Sequence, residues 1–471
     1  MKRPVPVLVG LGLLVAVALA GLVAAVRGAA SPGWGLSLYA LATFVFSLDF
    51  LDLVLRVYFR RRHTRGGHED PPPTSVPLGV GRFTPYQMRL HLRPYALLVS
   101  VHNAEDELDD FLEAMEPYRD RLWVIDDAST DDTWFRLRRA GVLCVRGDAN
   151  RKKPGAIKEL MGHLPPDIDT VVVLDPDVRI LDAQAGGIPD LERVVFEFQR
   201  SRRAAACPRI VVRPDGWLAR LQALEYGIGL GLGRKSLGDH SITSGVALYR
   251  RDALEEVLRE HTLSVYAEDL KNALILLARG ETIYYDERLV IETAAKRTWR
   301  AWFSQRVGWH YGLLKVYREN FRDVRRSANG RPFFIYQYLV YMGAFTLLLQ
   351  PLRVLSLGLL VMSTVNGLDQ VLGLDWVPDT PATEPAYFLF AYLNYTALTL
   401  AASSLAVPQA QEWLRLLPVV PVYFFYVLVL IVPATLGYLN WFSLRLTGRR
   451  LYRDHFHDEE ALWLRTRAGT R

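Results

Sequence analysis

Two kinds of hydrophobic pattern alternate along this chain. Residues 5–26 run without a charge, and residues 34–55 form a second apolar run broken only by Asp49 and Asp52. Each is long enough to cross a bilayer. From Tyr95 to Glu292 the pattern changes. The short apolar runs Ala96–Val101, Leu122–Ile125, Val142–Val145 and Val171–Leu174 predict strands, and the charged amphipathic stretches Glu105–Tyr118 and Thr133–Ala140 predict helices. Strands alternating with helices predict a mostly parallel sheet covered on both faces. Long apolar runs then return at 333–350, 352–368, 385–407 and 416–442, where Pro351 and Arg353 leave open whether the first two are separate spans.

These shifts divide the chain into a transmembrane hairpin (1–60), a linker rich in Gly, Pro and Arg (61–93), a globular domain (94–297), amphipathic interface helices (298–332), C-terminal transmembrane helices (333–444) and a tail (445–471). A cleaved signal peptide competes for the first run, because Lys2 and Arg3 precede it. The run exceeds the ~7–15 residues of a signal core, and a second run follows closely, so a hairpin is preferred. Arg56, Arg60, Arg61, Arg62 and Arg65 after the second run put the globular domain on the cytoplasmic side. Arg445, Arg449, Arg450 and Arg453 put the tail there too, which favours four C-terminal spans over three.

Half of the 471 residues are hydrophobic, more than a soluble core needs. The net charge of +6 does not point to nucleic acid. The arginines cluster beside the apolar runs, where anionic headgroups attract them, and no basic motif interleaved with aromatics is present. Cys144 and Cys207 give no disulfide framework and fit a reducing compartment.

Acidic residues close the predicted strands. Asp126-Asp127 follow Leu122–Ile125, either capping the next helix or binding a ligand at the carboxyl end of a parallel strand. Asp175-Pro176-Asp177 repeat that placement after Val171–Leu174. Paired carboxylates suit a hard divalent cation that shares phosphate oxygens, although Asp is also common in turns. Glu268-Asp269 open a predicted helix, Leu270–Arg279, as a cap or as a general base beside a hydroxyl. Thr298–Tyr317 predict an amphipathic helix. One stripe (Trp299, Trp302, Phe303, His310, Leu313, Tyr317) suits the headgroup region, and another (Gln305, Gly308, Trp309, Gly312) faces the protein. The flat Trp309 ring matches a pyranose face, though such stripes more often serve packing. His455 and His457 read as surface tail rather than metal ligands.

In this order the segments resemble the processive family 2 glycosyltransferases, which include cellulose, chitin and hyaluronan synthases and bacterial poly-N-acetylglucosamine synthases. The resemblance covers residues 95–318 and the flanking spans. It implies a GT-A-like α/β nucleotide-sugar-binding domain inserted between transmembrane helices. Val99–Glu105 looks like the family's opening motif, which places His102, Asn103 and Glu105 at the donor, with His102 on the uracil. Val124–Thr133 is similar to the uridine-binding segment, so Asp126 and Asp127 line it and Asp127 holds the base. Arg151–Lys158 is similar to the basic loop that brings Lys153 to the substrate. The D-x-D implies Mg²⁺ or Mn²⁺ on Asp177, with Asp175 toward the ribose or the metal. Thr243–Arg250 resembles the segment facing the acceptor, which implicates Ser244 and Gly245. Asp269, beside Glu268, falls where the catalytic base stands. Gln305, Arg306 and Trp309 fall on Q-x-x-R-W with one departure: Gly308 occupies the place of the diphosphate-binding arginine. Arg306 lies about 200° around a helix from position 308, so either Arg297, Arg300 or Lys315 supplies the missing charge or leaving-group stabilisation rests more on the metal.

The resemblance implies an inverting β-glycosyltransferase of the plasma membrane. It would elongate and export a polysaccharide from UDP-N-acetylglucosamine, UDP-glucose, or UDP-N-acetylglucosamine with UDP-glucuronic acid. The implied partners are that UDP-sugar donor, the growing polysaccharide and membrane lipids, without nucleic acid. Transfer of a single sugar to a lipid carrier, as in relatives of dolichyl-phosphate mannose synthase, is one rival. A non-catalytic saccharide or nucleotide binder is another, and such a binder has no use for a base at Asp269.

Overall fold

The computed structural model describes residues 54–55, 84–182, 184–185, 188–261, 266–327, 349–374, 385–407 and 409–454. The N-terminal hairpin apart from 54–55, nearly all of the 333–350 run, and His455 and His457 lie outside the described residues.

The expected strands form, within a residue at each end: β1 (Tyr95–Val101), β2 (Leu122–Asp126), β3 (Leu143–Arg146) and β4 (Thr170–Leu174). After β4 come β5 (Val178–Leu181), a two-residue hairpin of β6 (Gln184–Ala185) and β7 (Ile188–Pro189), then β8 (Ala205–Val212), β9 (Ala247–Arg250) and β10 (Ile283–Thr293). Eight strands make one sheet in the order β3-β2-β1-β4-β9-β8-β10-β5. β1 to β4 are parallel, as are β8 and β10, whereas β9 and the edge strand β5 run against their neighbours.

β1 and β4 read as unbroken apolar runs because both faces of the sheet are covered. Ala96, Leu98, Val171 and Val173 point into one core, with α4 (Lys152–Met161), α7 (Arg251–Glu260) and α8 (Glu268–Ala278). Leu97, Val99, Val172 and Leu174 point into the other, with α2 (Leu108–Met115) and α5 (Asp190–Gln199). α3 (Thr133–Ala140) has the bounds that its amphipathic pattern predicts. Residues 85–91, linker by composition, are helical (α1, Pro85–His91). Thr84 caps them, accepting the Gln87 N–H at 3.3 Å while Gln87 accepts the Thr84 N–H at 2.9 Å.

Beyond the sheet, α6 (Trp217–Glu225) continues into a π-helical stretch, Tyr226–Leu232. α9 (Trp299–Ser327) is one 29-residue helix. It is followed by α10 (Gln350–Leu372), α11 (Pro385–Ala406), α12 (Ala410–Leu416) and α13 (Val420–Thr447). Three described stretches, Gln350–Leu372, Phe388–Ala406 and Ala410–Thr447, are long and apolar enough to cross a membrane. Pro351 stands in the first turn of α10, where its missing N–H is not needed, so the 352–368 run is a helix starting there. Two members of the α9 stripe, Trp302 and His310, meet α13, while Trp299 is half exposed. Trp302 is fully buried and its Nε1 donates to Tyr426 Oη at 2.6 Å, while the His310 ring packs 5.6 Å from Tyr438.

Candidate active site

The carboxyl ends of β1, β2 and β4 lie side by side, with Val101 opposite Asp126 and Val99 opposite Leu174. The chain segments leaving them carry the predicted acids. Backbone hydrogen bonds from two loops stitch the first part of the site. The Asn103 N–H donates to Ser129 Oγ (2.9 Å) and its Oδ1 accepts the Thr130 N–H (2.9 Å). The Glu105 N–H donates to Asp131 Oδ2 (3.2 Å) and Glu105 Oε2 accepts the Asp132 N–H (3.1 Å). His102 is exposed, its Nδ1 2.9 Å from the Asp127 carbonyl. Asn103 and Glu105 therefore shape the loop that presents His102 and Asp127.

Asp126 is fully buried, accepting the Ser129 N–H at 3.0 Å, with Arg146 Nε 3.5 Å from its other oxygen. Asp127 Oδ1 accepts the Arg151 N–H at 2.8 Å. Burial pushes its carboxyl above the usual range, and backbone N–H groups of Arg151 and Lys152 at the start of α4 pull it partly back.

Lys153 joins three separate segments. Its Nζ pairs with Asp175 Oδ1 and donates to the Gly245 carbonyl at 2.6 Å. Burial works against its charge, but the Asp175 and Glu268 carboxylates outweigh burial and hold it above the usual lysine range. Gly245 leaves room for Asp175, because a Cβ there would lie 3.2 Å from the Asp175 carboxyl carbon. Ser244 Oγ donates to the Val246 carbonyl at 2.7 Å. Burial, then the charge of Asp175, pushes Asp177 up to about 6, and Lys296 opposes that rise. Lys153 opposes it too, more weakly, and Lys296 lines a cavity of about 430 Å³ with Arg213, Trp217 and Arg297. Among the described residues no three His, Cys, Asp or Glu side chains gather as a metal cage. Two carboxylates fit an ion whose other oxygens come from a bound diphosphate.

Glu268 and Asp269 occupy the first turn of α8. Burial and the Asp269 charge push Glu268 up to about 8. Burial raises Asp269 as well, but Arg234, the Leu270 N–H (2.7 Å from Asp269 Oδ1) and Lys153 favour its charged form. Arg234, in the short helical segment Gly233–Lys235 that continues the π-helical stretch, also donates to Cys207 Sγ at 3.1 Å. Asn103, Ala128, Lys152 and Ala267 are the non-glycine residues with positive φ among those described. All four border these loops, where backbone strain is concentrated at functional sites.

The Gln305–Trp309 element is built differently from its neighbours. Arg306 is wholly buried, donating to Glu225 Oε1 at 2.9 Å, Glu225 Oε2 at 2.5 Å and Gln305 Oε1 at 2.5 Å. Tyr426 of α13 bonds the same Glu225 carboxylate. The Arg306 guanidinium lies 4.0 Å from the centre of the Trp309 ring, which is 37% exposed and 6.1 Å from Tyr226. Arg297 and Arg300 are exposed, and Lys315 lies 5.8 Å from the Tyr266 ring. Glu225, Arg234 and Lys296 escaped the sequence reading because each sits in a helix or turn with no distinctive spacing. Alternating glycines at 227, 229, 231 and 233 were the available signal for the π-helical stretch.

No curated protein matches the chain. Among solved structures, mannosyltransferase PcManGT from Pyrobaculum calidifontis, in complex with GDP-Man and Mn²⁺, is 19% identical. The alignment covers 78% of this chain and 97% of that one, with a TM-score of 0.50. That likeness establishes the GT-A-like α/β fold. Glucosyl-3-phosphoglycerate synthase from Mycobacterium tuberculosis, in complex with Mn²⁺, UDP-Glc and phosphoglyceric acid, is a more partial likeness. It is 17% identical over 50% of this chain and 84% of its own, with a TM-score of 0.34. Residues 96–258, which hold β1 to β9 and the loops of His102, Asp127, Lys153 and Asp177, match the profile of Glycosyl transferase family 2.

Proposed function

We propose that the protein is an inverting glycosyltransferase that moves a hexosyl group from a UDP-sugar to an acceptor hydroxyl beside the apolar helices, elongating a polysaccharide. The observation that carries this reading is Lys153. One ammonium group touches Asp175 and the Gly245 carbonyl and feels the Glu268 charge, which supports reading the D-x-D, the acceptor segment and the base loop as parts of one site.

Asp127 and His102 line the pocket for the base, and Asp175 and Asp177 would hold Mg²⁺ or Mn²⁺. A cation bound there would supply positive charge to the departing diphosphate. Glu268 and Asp269 form a pair whose surroundings separate their roles. Glu268, pushed to about 8, keeps a proton at neutral pH. Asp269, which burial also raises while Arg234 and the Leu270 N–H partly offset that rise, accepts the proton of the attacking hydroxyl. A single displacement inverts the anomeric carbon, so an α-linked UDP-sugar gives a β-linkage. Trp309, exposed above Arg306, offers a flat face to the terminal sugar of the acceptor.

One observation favours a second reading, transfer of a single sugar to a lipid carrier. With Arg306 spent on Glu225 and glycine at 308, α9 presents no arginine beside Trp309 to a diphosphate. Purified full-length protein incubated with UDP-GlcNAc, UDP-Glc or UDP-GlcA and Mn²⁺ separates the two. Nucleotide release with high-molecular-weight product supports elongation, whereas an organic-extractable product supports the lipid acceptor. Asp269→Asn is expected to abolish release while retaining UDP binding. Undiminished release by that variant overturns the base assignment.

A further inference from the structure

The segment after the last long apolar helix returns to the catalytic domain. α13 ends at Gly448, and the chain doubles back over its final turns. Asn440, fully buried, accepts the Leu451 and Tyr452 N–H groups at 2.9 Å each and donates to the Tyr452 carbonyl at 2.9 Å. The Tyr452 ring meets Phe303 of α9 edge-on at 5.5 Å. This return delivers Arg450 and Asp454 to Tyr266, two residues before Glu268.

The contact is a closed triangle. Tyr266 Oη donates to Asp454 Oδ1 at 2.5 Å, and Arg450 Nη1 donates to Asp454 Oδ2 at 3.0 Å and to Tyr266 Oη at 2.7 Å. Tyr266 and the Asp454 carboxylate are fully buried, and the Arg450 side chain nearly so. Arg450 also covers the Tyr311 ring at 4.5 Å, and that ring meets Tyr266 edge-on at 4.8 Å. From the other side the α9 backbone forms a wall. A Cβ on Gly312 would lie 3.0 Å from Tyr266 Cβ and 3.1 Å from Ala267 Cβ.

What this clamp holds is a conformation the loop does not favour by itself. Ala267 has φ 49° and, as the residue before α8, contributes no capping side chain. A left-handed residue with a Cβ persists only where its surroundings impose it. The residue immediately before Ala267 is the one that the returning segment grips.

We propose that Tyr266, Arg450 and Asp454 form a latch through which the segment following the last apolar helix sets the position of the catalytic base. They are positioning residues, and the proposal rests on the reading of Asp269 as that base. The latch makes geometry at Asp269 depend on how α13 and its return are seated against α9.

The test uses the full chain in lipid nanodiscs, with Asp454→Asn and Tyr266→Phe, the latter keeping the ring packed and removing only the hydroxyl. Backbone amides of 266–270 are expected to exchange faster with deuterium in both variants, with β1 and β2 unchanged. kcat is expected to fall about 10- to 100-fold, as for a displaced catalytic group, with donor KM unchanged. Because the two side chains act through one contact, the double variant should lose no more than the worse single variant. Unchanged exchange at 266–270, or faster exchange across the whole sheet, overturns the latch. If the wild-type chain releases no nucleotide from any UDP-sugar, the proposed reaction fails, and exchange at 266–270 still decides the latch.

Discussion

Gly245 and Asp175 approach so closely that no side chain fits between them: a Cβ on residue 245 would stand 3.2 Å from the Asp175 carboxyl carbon and closer still to one of its oxygens. Lys153 bridges the same two residues from the other side, so Asp175 has little freedom to move away. Gly245→Ala is therefore expected to displace the carboxylate from Lys153 and cut the proposed nucleotide release by ~100-fold, the scale of a misplacement of about 1 Å in an active site. The melting temperature should change little, because residue 245 is only partly buried. Steady-state release and thermal unfolding check this, and full activity in the variant would refute the close approach.

Glu268 gives the fold a pH dependence of predictable sign. Its ordinary value is 4.5, and burial with the neighbouring Asp269 charge raises it to about 8 in the folded protein. Between those values the unfolded chain has lost a proton that the folded protein still holds, so stability falls as pH rises from 4.5 to 8. Glu268→Gln should remove this part of the slope. Asp177, raised from 3.8 to about 6, adds a similar decline below pH 6 to both proteins. Chemical unfolding midpoints between pH 6 and pH 8 isolate the Glu268 contribution. Parallel midpoints for wild type and variant across that window would exclude it.

Legibility from sequence followed locality. β1 to β4 and the acids that close them were readable because each strand is a short unbroken apolar run and each acid follows its own strand. β10 was not, because Asp286, Glu287 and Arg288 interrupt its apolar positions where the pairing with β8 shifts register between Asp286 and Val290. The stripe of aromatics on α9 was readable as a stripe but not in its partner: only packing shows that Trp302 meets Tyr426 rather than lipid. The Tyr266–Asp454 contact spans 188 residues, and no local pattern announces it. Arg306 illustrates the same limit, since its resemblance to a substrate ligand is a property of the chain order, whereas its burial against Glu225 is a property of the fold.

Arg306 and Glu225 together offer the sharpest test of what α9 contributes. Glu225→Ala leaves the buried Arg306 guanidinium without its carboxylate, and should destabilise the protein by ~3–5 kcal/mol. Pairing Glu225→Leu with Arg306→Met replaces the ion pair by apolar groups of comparable length. The thioether of Met can still pack under the Trp309 ring, so most of that loss should be recovered. Urea unfolding of the single and double variants measures both effects. The double variant also decides the role of Arg306 in the reaction. If the guanidinium only joins α9 to α6 and α13, nucleotide release survives its removal once stability is restored. If it is drawn out of the ion pair to meet a diphosphate, release is lost although the fold is intact. The two bonds to Glu225 and the absence of exposed surface on Arg306 favour the first result, because leaving that pair would strand the Glu225 carboxylate beside Tyr426 without its principal cation.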